Sequence, residues 1–219
     1  SLKAGETATL TFTLSESATD FISTDITVAG GTLSALAGSG KSYTATFTPT
    51  ASSTTSGVVS VASSKFTDAA GNPNADGADA NNAVTIAVDT VVPTIAINSN
   101  KASLKGGETA TLTFTLSEGA SDFDATDLTV SGGAISSFTA VSATSYTAVF
   151  TPTAGSTASG VVEVPSGKFT DALGNTNAVA SNTVTMTVDT VVPTIAVASN
   201  KTSLKAGETA TLTFTLSES

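Results

Sequence analysis

Carboxylates supply nearly all the chemistry this chain can do. Its 18 acids stand against 8 basic residues, every one a lysine, giving a formal net charge of −10, and it contains no His, Cys, Arg or Trp. Without cysteine there is no disulfide framework, thiolate metal site or cysteine nucleophile. Without histidine there is no Ser-His-Asp triad and no imidazole acid or base. An acidic chain lacking arginine has no footprint for nucleic acid, whose phosphates are held by cationic groups. What remains is a stock of hard oxygen donors, which suits Ca²⁺ with its about 6–8 oxygen ligands. These donors fall in sets. Glu118, Asp122, Asp127, Asp171 and the amide Asn175 form one, with Asp89 upstream; Glu16, Asp20, Asp25, Asp68 and Asn72 form a second; Asp189 and Glu218 open a third.

The sets recur because the sequence recurs. The segment Ser1 to Glu16 returns at Ser103 to Glu118, 102 residues on, and at Ser203 to Glu218 after a further 100. Val88 to Ala96 returns as Val188 to Ala196, and Lys65 to Asn72 as Lys168 to Asn175. Such a period is far longer than the roughly 20–50 residues of a solenoid repeat, so each unit is expected to be a whole domain in a tandem array. The joint is placed at Thr90-Val-Val-Pro93, where proline cannot donate to a ladder and biases Val92 to extended geometry. This divides the chain into residues 1–89, a repeat lacking its opening strand; 90–189, a complete repeat; and 190–219, the start of a third. A piece as short as the last cannot bury a core by itself. The chain thus reads as a window cut from a longer array. No stretch approaches the ~20 apolar residues of a membrane span, and Ser1-Leu2-Lys3 does not open a signal peptide.

Within a repeat the hydrophobic period is two. In Thr109 to Leu116, Ala110, Leu112, Phe114 and Leu116 share one face and four threonines the other, the pattern of a half-buried antiparallel strand. Short runs follow at Asp127–Val130, Ser145–Thr151, Gly160–Val164 and Thr183–Val188, with turn residues between them. About seven short strands in about 100 residues predict an all-β fold of tandem immunoglobulin-like antiparallel β-sandwiches. With no Trp or Cys, the core must rest on aliphatics and on Phe114, Phe123, Phe150 and Phe169.

The run DTVVPTIAINSNKASLKGGETATLTFTLSEGASDF, with FTDALGN and NTVTMTVDT further on, resembles the bacterial Ig-like repeats of giant secreted adhesins. These are of the repeats-in-toxin type and include the extender region of a marine ice-binding adhesin. The resemblance spans essentially the whole chain. It implies a non-enzymatic stalk module at the bacterial cell surface, partnered by neighbouring repeats of its own chain, with calcium at domain junctions.

In such a sandwich the alternating strands bring the acids to one pole. The strand ending at Glu118, the loop through Asp122 to Asp127, and the segment Asp171 to Asn175 gather at the end facing the preceding domain, and Asp89 arrives from that domain. Carboxylates converging with no lysine among them would repel one another without a cation, so Ca²⁺ is expected there. The first-repeat set lacks an upstream linker acid, and the third junction keeps only Asp189 and Glu218; both sites are expected to be incomplete. Other readings are weaker. The ladder Thr7, Thr9, Thr11, Thr13 could face ice, but outward threonine is what any soluble strand uses. A glycan-binding or hydrolytic role would call on aromatic platforms, and only Tyr43 and Tyr146 join the phenylalanines.

Overall fold

A computed structural model describes residues 1–218. Threonine and small apolar residues alternate along the chain, and the backbone follows with strands. In chain order they are β1 (Ala8–Ala18), β2 (Ile26–Ala29), β3 (Gly31–Leu33), β4 (Ala37–Pro49), β5 (Gly57–Val61) and β6 (Ala83–Ile86) in the first repeat. The second repeat gives β7 (Ile95–Ser99), β8 (Ser103–Lys105), β9 (Ala110–Leu116), β10 (Thr129–Ser131), β11 (Gly133–Ser142), β12 (Ser145–Pro152), β13 (Gly160–Glu163) and β14 (Val184–Asp189). A final hairpin pairs β15 (Ile195–Ser199) with β16 (Leu212–Leu216). The fold is all-β, as the alternation predicts.

Contacts group the chain into two compact units. The first comprises Ser1–Ile95 with Leu116–Phe123 and Pro165–Ala180, and the second the remaining segments Ala96–Thr115, Asp124–Val164 and Ser181 onward. The first unit contains two antiparallel sheets, ordered β1-β4-β3 and β2-β5-β6. Its core gathers Leu14, Phe21, Tyr43, Phe47 and Val59, and the Tyr43 hydroxyl donates to the Ala18 carbonyl at 3.0 Å. The second unit contains sheets ordered β11-β12-β9-β7 and β10-β13-β14-β8, along with the β15–β16 hairpin. Leu112, Phe114, Phe150 and Met186 are fully buried there. By contrast, the hairpin is open to solvent: Ile195 and Phe214 are about 60% exposed, where their counterparts Ile95 and Phe114 are 8% and 0% exposed.

Three details differ from the sequence reading. Asp127 ends a 3₁₀ turn, Ala125–Asp127, so the following strand starts at Thr129. Two strands appear that the alternation did not mark, β8 and β11. The sandwich is also not wholly antiparallel, because β8 pairs with β14 in parallel through Ser103, Leu104 and Lys105. The cause is local. β7 and β8 are consecutive pieces of one segment that changes sheet at Asn100, whose side-chain oxygen accepts the Thr111 N–H at 2.8 Å. After the sheet change β8 runs in the same direction as its new neighbour β14, so the ladder between them is parallel.

Candidate functional site

The acids that come together do so because three backbone devices place them. Strand β9 ends at Leu116, and Ser117 is fixed to Thr94 by paired bonds of 2.9 Å, Ser117 N–H to the Thr94 carbonyl and Thr94 N–H to the Ser117 hydroxyl. Glu118 follows directly. Asp171 sits in a tight loop closed on its own carboxylate, where Oδ1 accepts the N–H groups of Leu173 at 2.8 Å and Asn175 at 2.9 Å, and Oδ2 accepts the Asn175 amide at 2.7 Å. Gly174 takes φ +85° in this loop, a conformation that a side chain would strain. Asp89 is held by its N–H bond to the Leu2 carbonyl at 2.9 Å, while its carboxylate accepts the Val91 N–H at 3.1 Å.

The result is a trio. Carboxylate oxygens of Asp89, Glu118 and Asp171 lie within 4.8 Å of one another, and among the described residues only these acids gather so closely. Glu118 Oε1 is buried and has no hydrogen-bond partner. Burial pushes the Glu118 carboxyl above its ordinary value, and the charges of Asp171 and Asp89 push the same way. Burial also works to raise Asp171, but the hydrogen bonds from Asn175, Leu173 and Gly174 outweigh it and hold that carboxyl below its ordinary value. An ionised carboxylate thus faces a second one that is penalised for ionising. A cation taking oxygen from all three would relieve that penalty and satisfy the orphaned oxygen.

The other residues of the sequence-derived sets have different work. Asn175 is spent on scaffolding: its oxygen accepts the Ala4 N–H at 2.7 Å, and its amide bonds Asp171 and the Asp89 carbonyl. Asp122 ties its loop to Thr170, accepting the backbone N–H at 2.8 Å and the hydroxyl at 2.9 Å. Asp127 accepts the Asp124 N–H at 2.9 Å at the start of the 3₁₀ turn. The first repeat repeats each device without the trio. Asp20 binds Thr67, which holds its carboxyl below the ordinary value; Asp25 accepts the Ile22 N–H; and Asp68 closes a loop through Asn72. Glu16 is exposed on β1. At the third joint Asp189 accepts the Val191 N–H at 3.2 Å, as Asp89 does for Val91, and Glu218 Oε1 is again buried without a partner.

Two contributors escaped the sequence reading. Asn177 is fully buried, accepts the N–H groups of Lys168 and Phe169, and donates to the carbonyls of Pro165 and Val179, so it shapes the loop that delivers Asp171. Its signal was the repeated Asn-x-Asn spacing, Asn72 with Asn74 and Asn175 with Asn177. Lys3 also reaches the site's margin, at 3.4 Å from the Gly174 carbonyl. If Asp122 is a loop tie rather than a ligand, Asp122→Ala should cost about 0.5–2 kcal/mol of stability, as for loss of a cap. Cation affinity measured by calorimetry should not change.

The profile of the bacterial Ig-like domain matches residues 1–87, 89–188 and 189–219. Among solved structures, the chain is similar to the adhesin FdeC of Escherichia coli, at 19% identity over 97% of this chain and 69% of that one, with a TM-score of 0.35. It is similar to InvD of Yersinia pseudotuberculosis at 21% identity, covering 92% of this chain and 60% of that one, with a TM-score of 0.33. A glycoside hydrolase family 107 endo-fucoidan hydrolase aligns at 12% identity over 87% of this chain and 27% of its own, with a TM-score of 0.24. No curated protein sequence matches.

Proposed function

This chain belongs to the bacterial Ig-like domain family, and from that premise we propose that it is a spacer segment of a bacterial surface adhesin whose repeat junction is stiffened by calcium. The observation that carries the reading is the buried, partnerless Glu118 Oε1 facing Asp89 and Asp171, at the point where one family repeat passes to the next. Asp89, Glu118 and Asp171 would hold the ion, and the ion would supply a charge that binds the linker carboxylate to two loops. Asn175 and Ser117 orient the ligands. The donor set is all oxygen, which suits a hard cation and excludes a thiolate or imidazole site. Domain contacts within a chain are mobile by default, and a shared ion favours the one arrangement that completes its shell.

Extracellular modules bind calcium at about 10⁻⁴ to 10⁻³ M, so loading would follow export from the cell. Titrating the full chain with Ca²⁺ should give one calorimetric binding event in that range, and Asp89→Ala should abolish it. Small-angle scattering of the full chain in millimolar Ca²⁺ should show a narrower spread of dimensions than in chelator. Binding heat absent and scattering unchanged would reduce the chain to a passive spacer.

A further inference from the structure

A turn and a loop recur along the chain, and they meet across the joint between the first two repeats. The turn is Lys3 to Glu6. The Glu6 N–H donates to the Lys3 carbonyl at 3.0 Å and Gly5 takes φ +81°, which is the geometry of a type II turn. The Glu6 carboxylate accepts the Lys3 N–H at 3.1 Å and fixes the turn further. The same turn with the same bonds stands at Lys105 to Glu108 and at Lys205 to Glu208. The loop is Asp171 to Asn175, and Asp68 to Asn72 closes in the same way in the first repeat.

Asn175 joins the two. It is 2% exposed, and its side chain bonds both its own repeat and the one before. Within the loop its amide donates to Asp171 Oδ2 at 2.7 Å. Across the joint the amide donates to the Asp89 carbonyl at 3.0 Å, and Oδ1 accepts the Ala4 N–H at 2.7 Å. Ala4 is the second residue of the turn, whose own closing bond does not use that N–H. The covalent path beside this contact has little slack. Thr90 is buried; its hydroxyl donates to the Thr50 carbonyl at 2.7 Å and accepts the Ser53 N–H at 3.0 Å, which anchors the linker to the first repeat. Thr94 is tied to Ser117 of the second repeat, so only Val91, Val92 and Pro93 lie between the anchors. Turn, linker and loop all fall within the first compact unit.

We infer that these groups form a metal-independent latch between repeats: Asn175 hooks the turn of the preceding repeat and holds the joint in one arrangement before any ion arrives. A linker alone leaves two bodies free to turn about it, and a second tie beside the linker removes that freedom. The latch supplies the second tie with bonds that a cation does not make, so it stands apart from the calcium reading. Because turn and loop both recur in the sequence, the hook is a property of the repeat rather than of one joint. Hook and turn are different surfaces, so the contact is head-to-tail and propagates along an array.

Ala4→Pro tests the latch by removing the N–H that Asn175 accepts. Proline is favoured at this position of a type II turn and Ala4 is exposed, so the turn should keep its shape and each repeat its fold. The chain has no cysteine, so spin labels on Thr48→Cys and Val179→Cys, both exposed positions, report the spread of distances across the joint. In chelator, Ala4→Pro should widen that spread about twofold, toward the mobility that domain contacts show by default. Gly106→Pro, at the same turn position of the second repeat, should leave the spread unchanged. In the parent chain the Ala4 amide should exchange with solvent about tenfold more slowly than an open turn amide, as one firm hydrogen bond requires. Equal spreads with and without Ala4→Pro overturn the inference, as does equal widening by Gly106→Pro or an Ala4 amide exchanging at the open rate. Both measurements are made without calcium, so failure of the cation site alone leaves them unmoved.

Discussion

In chelator at neutral pH, Glu118→Gln should raise the stability of the chain, and in millimolar calcium the same substitution should lower it. The reversal follows from the trio's electrostatics under the proposed calcium reading. The Glu118 carboxyl is raised above its ordinary 4.5 by burial and by Asp171 and Asp89. The folded chain therefore holds that proton more tightly than the unfolded one, and stability falls as pH climbs from about 4.5 through the raised value. Above that window the penalty is fully present, and the neutral amide removes it. Asp171 works oppositely: its lowered carboxyl contributes stability that is present above about 3.8 and lost as pH falls through its folded value. Calcium changes the sign for Glu118, because the charge that was a liability becomes a ligand. At ten to a hundred times its dissociation constant, a bound ion adds about 1.4–2.7 kcal/mol. Denaturant melts of both proteins, with calcium and with chelator, measure this directly. A shift of the same sign and size in both conditions would falsify the cation site.

The largest loss of stability should come from a ring buried in the core of the second repeat. Phe150 is fully buried, and the chain approaches its phenyl from two sides at glycines. A Cβ on Gly133 would lie 2.5 Å from Phe150 Cζ, and one on Gly160 would lie 2.6 Å from Cε1, where carbon contacts need about 3.5–4.0 Å. Phe47 stands between Gly31 and Gly57 in the same way. Phe150→Ala should cost about 3–5 kcal/mol, the usual range for emptying a phenyl site. Gly160→Ala should cost about 1–3 kcal/mol or more, since the ring cannot retreat into a filled core. Combining Gly160→Ala with Phe150→Leu separates sterics from backbone effects. If the close contact is the cause, the pair should be more stable than the sum of the two single losses implies. Strict additivity would place the fault in the backbone at Gly160 instead.

The alternation of threonine with Leu and Phe was enough to read β9 and β12, because period two is the physical cause of a half-buried strand. The missing strands lacked that signal. β11 is interrupted at Ser137, which takes φ 51°, and its register with β12 shifts between Ser136 and Thr139. β8 is only three residues long, and its parallel pairing depends on a sheet change that no spacing announces. For the site, chain order sufficed to bring Glu118, Asp171 and Asp89 to one place. It could not separate carboxylates aimed at one another from those aimed at nearby N–H groups. Asp122 and Asp171 are both loop acids, yet the first binds Thr170 across the loop and the second turns back on Asn175. That distinction resides in side-chain direction, which a sequence expresses only through its neighbours.

The parallel pairing of β8 with β14 also has a meaning under load. These strands lie near the two ends of the second family repeat and run side by side in the same direction, in register from Ser103 with Thr187 to Lys105 with Asp189. A pull applied to the chain on both sides of that repeat draws them past each other lengthwise. All the bonds of the ladder are then strained together, whereas a hairpin such as β15 with β16 can be opened one rung at a time from its free end. Resistance to such a pull is a matter of unfolding rate rather than equilibrium stability. In the first repeat the same device shrinks to the single bridge of Leu2 with Val88. The parallel ladder of β8 with β14 thus sets how the second repeat meets a lengthwise load.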